Sequence, residues 1–98
     1  MSVNFSAFDE SAIRVLRILA EHFPKPKEVG FNDVFPNEES DTEKRAAHIG
    51  TLAFLRHENL IAHEVVSASS FIITRTGLAL FDEDIFKHLK RLLNDSTN

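Results

Sequence analysis

The sequence predicts an α+β domain in which helices surround one β-hairpin. Two observations predict this class. Apolar residues recur with the period of an α-helix over three long stretches, and they change to the alternation of a β-strand over two shorter ones. The helical stretches are 7–22, 41–58 and 75–93, and the strand-like stretches are 60–66 and 70–74.

Length and composition set the bounds of this domain. The 98 residues are enough for one hydrophobic core, so we expect a single domain over 1–98 with a flexible polar tail at 94–98. The chain has no cysteine, which excludes a disulfide framework. Charged residues interrupt the first apolar stretch, which excludes a signal peptide or a membrane span there. We therefore expect a cytoplasmic protein that does not contact a membrane.

The first helix is bounded by recognisable start and stop residues. Ser6 and Asp9 are suited to cap its beginning, and the helix is predicted to end near His22. Pro24 and Pro26 follow, and proline lacks the N–H that a continuing helix needs. One face of the helix is apolar and consists of Ala12, Ile13, Leu16, Leu19, Ala20 and Phe23.

Two short elements are predicted before the second long helix. Residues 29–31 are predicted to form a short strand that pairs beneath the hairpin, and residues 31–35 a short helix that ends at Pro36. Ser40 and Glu43 then have the spacing of a capping box, in which each side chain satisfies a backbone N–H of the first turn. This pattern predicts the start of the long helix that runs to about residue 58.

The hairpin and the last helix complete the chain. Residues 60–66 and 70–74 are rich in β-branched side chains and are predicted to pair across a turn at 67–69. Thr74 is then expected to cap a helix that covers 75–93.

Two stretches of the sequence resemble those of a known family. The first is Thr51-Leu52-Ala53-Phe54-Leu55-Arg56-His57-Glu58-Asn59-Leu60-Ile61, and the second is Phe71-Ile72-Ile73-Thr74-Arg75-Thr76-Gly77-Leu78. In order and spacing they resemble the winged helix-turn-helix domains of bacterial and phage regulators. The resemblance covers most of the chain. It implies a three-helix core, a β-hairpin wing and a long C-terminal helix.

The resemblance also implies duplex DNA as a partner, with one helix in the major groove and the wing on the backbone. Carried onto this sequence, the candidate DNA contacts are Thr42, Lys44, Arg45, His48 and Arg75. Duplex binding takes much of its affinity from phosphate neutralisation. Residues 31–66 hold seven acidic residues against three bases. We therefore expect a transcriptional regulator of this type to contact DNA weakly and mainly through electrostatics.

The same helix face is also compatible with a protein partner. Ala47, Gly50 and Phe54 lie where a DNA-reading helix needs polar donors, and small residues beside an aromatic anchor are typical of a packing surface. Two environments remain open for Phe54. It is either an exposed anchor of such a surface, or it folds back into its own core under Phe5 and Phe8.

The last predicted helix carries a second apolar stripe. Ala79, Phe86 and Leu93 recur every seven residues beside the main apolar face. We expect Phe86 and Leu93 to form the seam of a homodimer, and the alternative is that the stripe packs on the first helix.

No catalytic or metal-binding pattern is recognised. The chain has five histidines, but none of them forms a closely spaced set of metal ligands. The carboxylates of Asp82, Glu83 and Asp84 fan around a predicted helix and cannot converge on one substrate atom. We therefore expect a non-catalytic protein without cofactor or metal. It is either a DNA-binding transcriptional regulator or a protein-interaction adaptor that keeps the fold without the basic DNA-reading face.

Overall fold

The computed structural model describes residues 2–96, apart from the side chain of Ser96, and this part of the chain is an α+β structure. The helices are α1 (Ser6–His22), α2 (Phe31–Val34), α3 (Thr42–His57), α4 (Arg75–Ala79) and α5 (Ile85–Ser96). The strands are β1 (Lys27–Glu28), β2 (Ile61–His63) and β3 (Ser70–Ile73), and they form an antiparallel sheet in the order β1–β3–β2. The predicted α+β class is confirmed.

One hydrophobic core joins α1, α3 and the sheet. Leu19 belongs to the predicted apolar face of α1 and is buried, but Ile13 and Phe23 of that face are 48% and 38% exposed. Val15, which the predicted face does not include, is fully buried, so the buried side of α1 is turned toward Val15. Val15 and Leu19 pack with Phe35, at the end of α2, and with Leu55 of α3. Burying each such side chain contributes about 1.5–3 kcal/mol. The complete buried apolar set is Ala12, Val15, Leu16, Leu19, Val29, Phe31, Val34, Phe35, Leu55, Ile61, Phe71, Ile73 and Leu78.

The caps of the two long helices differ from the predicted ones. Ser6 is the first residue of α1 rather than its cap, and its N–H donates to the side-chain oxygen of Asn4 at 2.9 Å. Helix α3 is capped by Asp41 rather than by Ser40, because the Asp41 carboxylate accepts the backbone N–H of Lys44 at 2.9 Å. The helix therefore begins one residue later than predicted.

Strand β1 lies two residues before the predicted strand at 29–31. The Val29 N–H still donates to a carbonyl group of the hairpin loop at 2.9 Å. The chain then turns into α2, because the Gly30 N–H is held by the Asp33 carboxylate at 2.9 Å. The short helix predicted at 31–35 is confirmed as α2, which ends one residue earlier.

The hairpin is shorter than predicted, because β2 ends at His63 and residues 64–66 belong to the loop. Polar contacts fold this loop back onto β1. The His63 ring bonds through Nε2 to the Ser67 carbonyl oxygen at 2.8 Å. The Glu28 carboxylate accepts the hydroxyl groups of Ser67 and Ser69 at 2.6 Å each, and these bonds lower the pKa of Glu28.

The single helix predicted over 75–93 is wrong, because the chain breaks between α4 and α5. The N–H groups of Phe81 and Glu83 both donate to the Leu78 carbonyl oxygen, and Asp82 takes up a left-handed conformation with φ 60°. Asp84 then starts α5, since its carboxylate accepts the Lys87 N–H at 3.0 Å. That bond lowers the pKa of Asp84. The backbone conformation of Asp82 and the side-chain cap of Asp84 thus divide the helix, although the apolar residues keep their helical spacing.

Helix α5 runs to Ser96, three residues beyond the predicted end. Residues 94–96, which the sequence assigns to a flexible tail, continue the helix. Residues 97–98 of that tail lie outside the described residues.

Helix α5 also projects from the rest of the structure. Ile85 packs on the core, whereas Phe86, Leu89 and Leu92 are about half exposed. The radius of gyration is 15.7 Å, compared with about 13 Å for a compact domain of 100 residues. An apolar face of this helix is therefore available outside the core.

Helix α4 packs against the start of the hairpin at Gly77. The Thr74 hydroxyl accepts the Gly77 N–H at 3.1 Å and donates to the Asn59 carbonyl oxygen at 2.5 Å, which confirms Thr74 as the cap of the helix. A Cβ atom on Gly77 would overlap the Leu60 carbonyl oxygen and lie 2.6 Å from Cγ1 of Ile73. Only glycine therefore fits at position 77, where α4 lies against the Leu60 backbone.

Gly77→Ala is expected to destabilise the fold by about 2–3 kcal/mol, because a backbone carbonyl cannot move aside without shifting the hairpin. Gly50→Ala is the matched control, since a Cβ there has no neighbouring atom within 4 Å. In the middle of α3 it should stabilise by roughly 0.5–1 kcal/mol. Urea unfolding of both variants measures the difference. Equal effects of the two substitutions would contradict the packing described for Gly77.

His48 is a buried polar connection between α3, α1 and the segment that follows β1. Its ring has no exposed surface. Nε2 lies 2.8 Å from the Val29 carbonyl oxygen, and Nδ1 lies 3.2 Å from the Ser11 hydroxyl. These partners fit the neutral ring, in which Nε2–H donates to the carbonyl and Nδ1 accepts the hydroxyl. Burial lowers the pKa of His48 against the opposing effects of the Val29 bond and the Asp33 charge.

This lowered pKa makes folding stability depend on pH. Below about pH 6.5 the unfolded chain gains a proton on His48 that the folded chain does not take up, so stability falls as the pH decreases from there toward the folded pKa. The urea midpoint is measured at pH 7.5 and at pH 5.5, which both lie about one unit from the unfolded pKa. We expect the decrease of the midpoint between these two pH values to be smaller in His48→Gln than in the unchanged protein. His57→Gln, at an exposed position, is the control. Parallel pH profiles for all three proteins would refute the role of His48.

Candidate functional site

His48 does not lie on the surface where the resemblance places a DNA contact. It faces the core and its two ring nitrogens are used inside the protein. The prediction that His48 contacts DNA is therefore wrong. Its position in the helical period of α3, on the side of Thr51 and Leu55, is the signal in the sequence that places it inside.

Lys44 is turned toward α1 and α2 rather than toward solvent. Its ammonium nitrogen lies 2.6 Å from a Glu38 carboxylate oxygen and 3.4 Å from Glu10, and it sits 4.5 Å above the centre of the Phe35 ring. The hydrogen bond to Glu38 is the main cause of a raised pKa at Lys44. Arg14 shares this arrangement, with Glu10 at 3.7 Å and the same ring at 4.7 Å. Both bases are thus matched by carboxylates.

Arg75 is also engaged within the protein. Its guanidinium carbon lies 3.7 Å from the centre of the Phe86 ring, and its charge helps to keep the pKa of Asp84 low. Arg75 therefore belongs to the junction of α4 and α5, where it stacks on the first turn of α5.

Two of the candidate DNA contacts, Thr42 and Arg45, remain at the outer surface of α3. Thr42 is exposed in the first turn. Arg45 stacks 4.8 Å from the Phe31 ring and lines an open groove between α3 and the hairpin loop. Arg56 lines the same groove. It is not among the DNA contacts that the sequence predicts. Its spacing of eleven residues from Arg45, about three helical turns, is the signal that places both on one side of the helix.

The predicted interaction residues of α3 meet the beginning of α1 in one apolar surface. We call it the α1–α3 patch, and it consists of Val3, Phe5, Phe8, Ala47, Gly50 and Phe54. The Phe54 ring meets the Phe8 ring edge-on at 5.5 Å between centroids. Phe54 keeps 52% of its surface exposed and Phe5 keeps 60%. Phe54 is thus an exposed side chain that rests on Phe8, and it is not part of the core.

Acidic groups border this patch. Glu10, Asp41 and Glu43 line the depression next to Ala47. The nearby ammonium group of Lys44 is already bound to Glu10 and Glu38. The surface beside the apolar centre is therefore negative.

The apolar stripe predicted on the last helix is interrupted, and the homodimer seam stays a prediction. Ala79 ends α4, so the break before α5 separates it from Phe86 and Leu93. The latter two lie seven residues apart on α5, and both are more than half exposed, at 53% and 64%. Lys87, Lys90 and Arg91 occupy the remaining surface of the helix.

Within residues 2–96, no three histidine, aspartate or glutamate side chains gather into a group that would hold a metal ion. No helix in this part of the chain is long and apolar enough to cross a membrane. Comparison of the sequence with protein-family models and with curated proteins finds no match, and comparison with solved structures finds none either.

Proposed function

We propose that this protein is a non-catalytic protein-interaction module with a winged helix-turn-helix architecture. Support for the architecture comes from the element order, with α1, β1, α2 and α3 before the hairpin, and from the sheet order β1–β3–β2. The α4–α5 segment is then an addition to that architecture. The proposal includes a homodimer as the functional unit.

The observation that carries the interaction function is the α1–α3 patch. A helix that reads DNA needs hydrogen-bond donors on its outer face, whereas α3 presents Gly50 and Phe54 there beside the exposed Phe5. Exposed aromatic side chains that cluster on a surface are the usual anchors of protein interfaces. The acidic border of the patch would also repel a phosphate backbone.

A DNA-binding transcriptional regulator is the second candidate. It is favoured by the groove between α3 and the hairpin, where Arg45 and Arg56 lie. Among residues 2–96, neither arginine has a carboxylate within ion-pair distance. With about two or three phosphate contacts, the slope of log K against log salt would be only about −2 to −3, which corresponds to weak electrostatic binding.

Photo-crosslinking in cells separates these functions. We expect a photoreactive p-benzoylphenylalanine in place of Phe54 to give adducts to a second protein chain, which nuclease leaves intact. The matched control places the same residue at Val65, an exposed apolar site of the hairpin loop, and should give few adducts. Nuclease-sensitive adducts at both positions would favour the regulator, and equal protein adducts at both would refute the patch.

The stability of Phe54→Ala shows whether position 54 tolerates replacement. The lost edge contact with Phe8 should cost about 0.5–1.5 kcal/mol. Leu55→Ala, at the adjacent buried position, should cost about 2–5 kcal/mol. A loss at Phe54 as large as that at Leu55 would mean that the ring belongs to the core and would exclude it as a partner anchor.

A further inference from the structure

We infer that the α1–α3 patch of one copy of this protein holds helix α5 of a second copy. The inference rests on the proposed function, since it names the occupant of the proposed interaction surface. It differs from a seam between two α5 helices, because α5 meets a different surface of its partner.

The chemistry of α5 matches that of the patch. Ile85, Phe86, Leu89, Leu92 and Leu93 fall within an arc of about 120° on α5, which leaves the rest of the helix polar. That polar part carries Lys87, Lys90 and Arg91 against one acidic residue, Asp95. Helix α5 is therefore an apolar helix with a positive charge.

The border of the patch is acidic, whereas α5 is basic. Its centre is apolar around Phe54, and Asp41 and Glu43 are exposed beside it while Glu10 is engaged by two bases. Burying α5 on the patch would pair apolar surface with apolar surface. Lys90 lies about 40° beyond the edge of the apolar arc and would be the base nearest the acidic border, whereas Lys87 and Arg91 face away from the contact. A seam between two α5 helices would instead bring together two helices that each carry three bases and one acidic residue. Charge complementarity thus favours the patch as the docking site.

The positions of the two surfaces place this contact between copies. The start of α5 lies beside Phe23, in a depression lined by Phe23, Leu78, Glu83, Ile85 and His88 at the end of α1. The patch lies at the other end of α1, which has 17 residues and is therefore about 25 Å long. Helix α5 has 12 residues and spans about 18 Å, and its apolar face is exposed in its own copy. If each copy gives one helix and receives one, the two contacts close a symmetric dimer.

Disulfide trapping tests this contact, because the chain has no cysteine of its own. Gly50→Cys places a thiol at the centre of the patch without a neighbouring atom within 4 Å, and Leu92→Cys places one at the edge of the α5 stripe. After the two variants are mixed and oxidised, the 50–92 dimer should be several-fold more abundant than the 50–50 and 92–92 dimers. A disulfide forms only when the two Cα atoms come within about 7 Å.

Two controls show whether the 50–92 disulfide reports a specific contact. Val65→Cys mixed with Leu92→Cys should give little dimer, and Phe54→Glu added to Gly50→Cys should remove the 50–92 product. Circular dichroism confirms that each variant is folded. A dominant 92–92 dimer would overturn the inference in favour of an α5 seam, and equal 65–92 and 50–92 products would overturn it as random collision. Absence of any dimer overturns it as well, but nuclease-resistant crosslinks from position 54 to another protein in cells would leave the proposed function standing with that protein as the occupant.

Discussion

The rotation of α3 about its own axis depends on the buried hydrogen bonds of His48. One ring nitrogen is bonded to Val29 and the other to Ser11, so α3 is tied to α1 and to the chain that follows β1. Rotating the helix away would leave a buried imidazole without partners, which costs about 1–3 kcal/mol for each lost bond. Because His48 faces inward, Gly50 and Phe54 face outward beside α1. The exposure of the α1–α3 patch therefore follows from a contact in the core.

The charge distribution follows from the same orientation. With α3 held in this position, Lys44 reaches Glu10 and Glu38 over the Phe35 ring, where its charge is matched. Arg45, the next residue, lies about 100° further round the helix, where it stacks on the Phe31 ring and lines the groove beside the hairpin. The two adjacent bases therefore have different surroundings.

The parts of the fold that the sequence predicts are those set by local rules. The helical period places Leu16 and Leu19 inside, and Thr74 caps the helix that follows the hairpin, as its position predicts. The parts that it misses depend on contacts between distant residues. The loop that ends β2 is fixed by Glu28, some forty positions away, and the exposure of Phe54 depends on how the beginning of α1 lies over α3. The break at residues 80–84 is different, because Asp84 signals it locally and the continuing apolar period conceals it.

The most direct test of a protein-binding face on α3 is to map contacts by amide chemical shifts. A ¹⁵N-labelled sample is titrated first with unlabelled protein and then, separately, with a duplex DNA at an ionic strength of about 0.15 M. We expect unlabelled protein to shift the amides of Gly50 and Phe54 together with those of α5, while DNA leaves them unchanged. If DNA instead shifts the amides of Arg45 and Arg56, and added protein shifts none, the groove between α3 and the hairpin loop is a nucleic-acid surface and the proposed function is wrong.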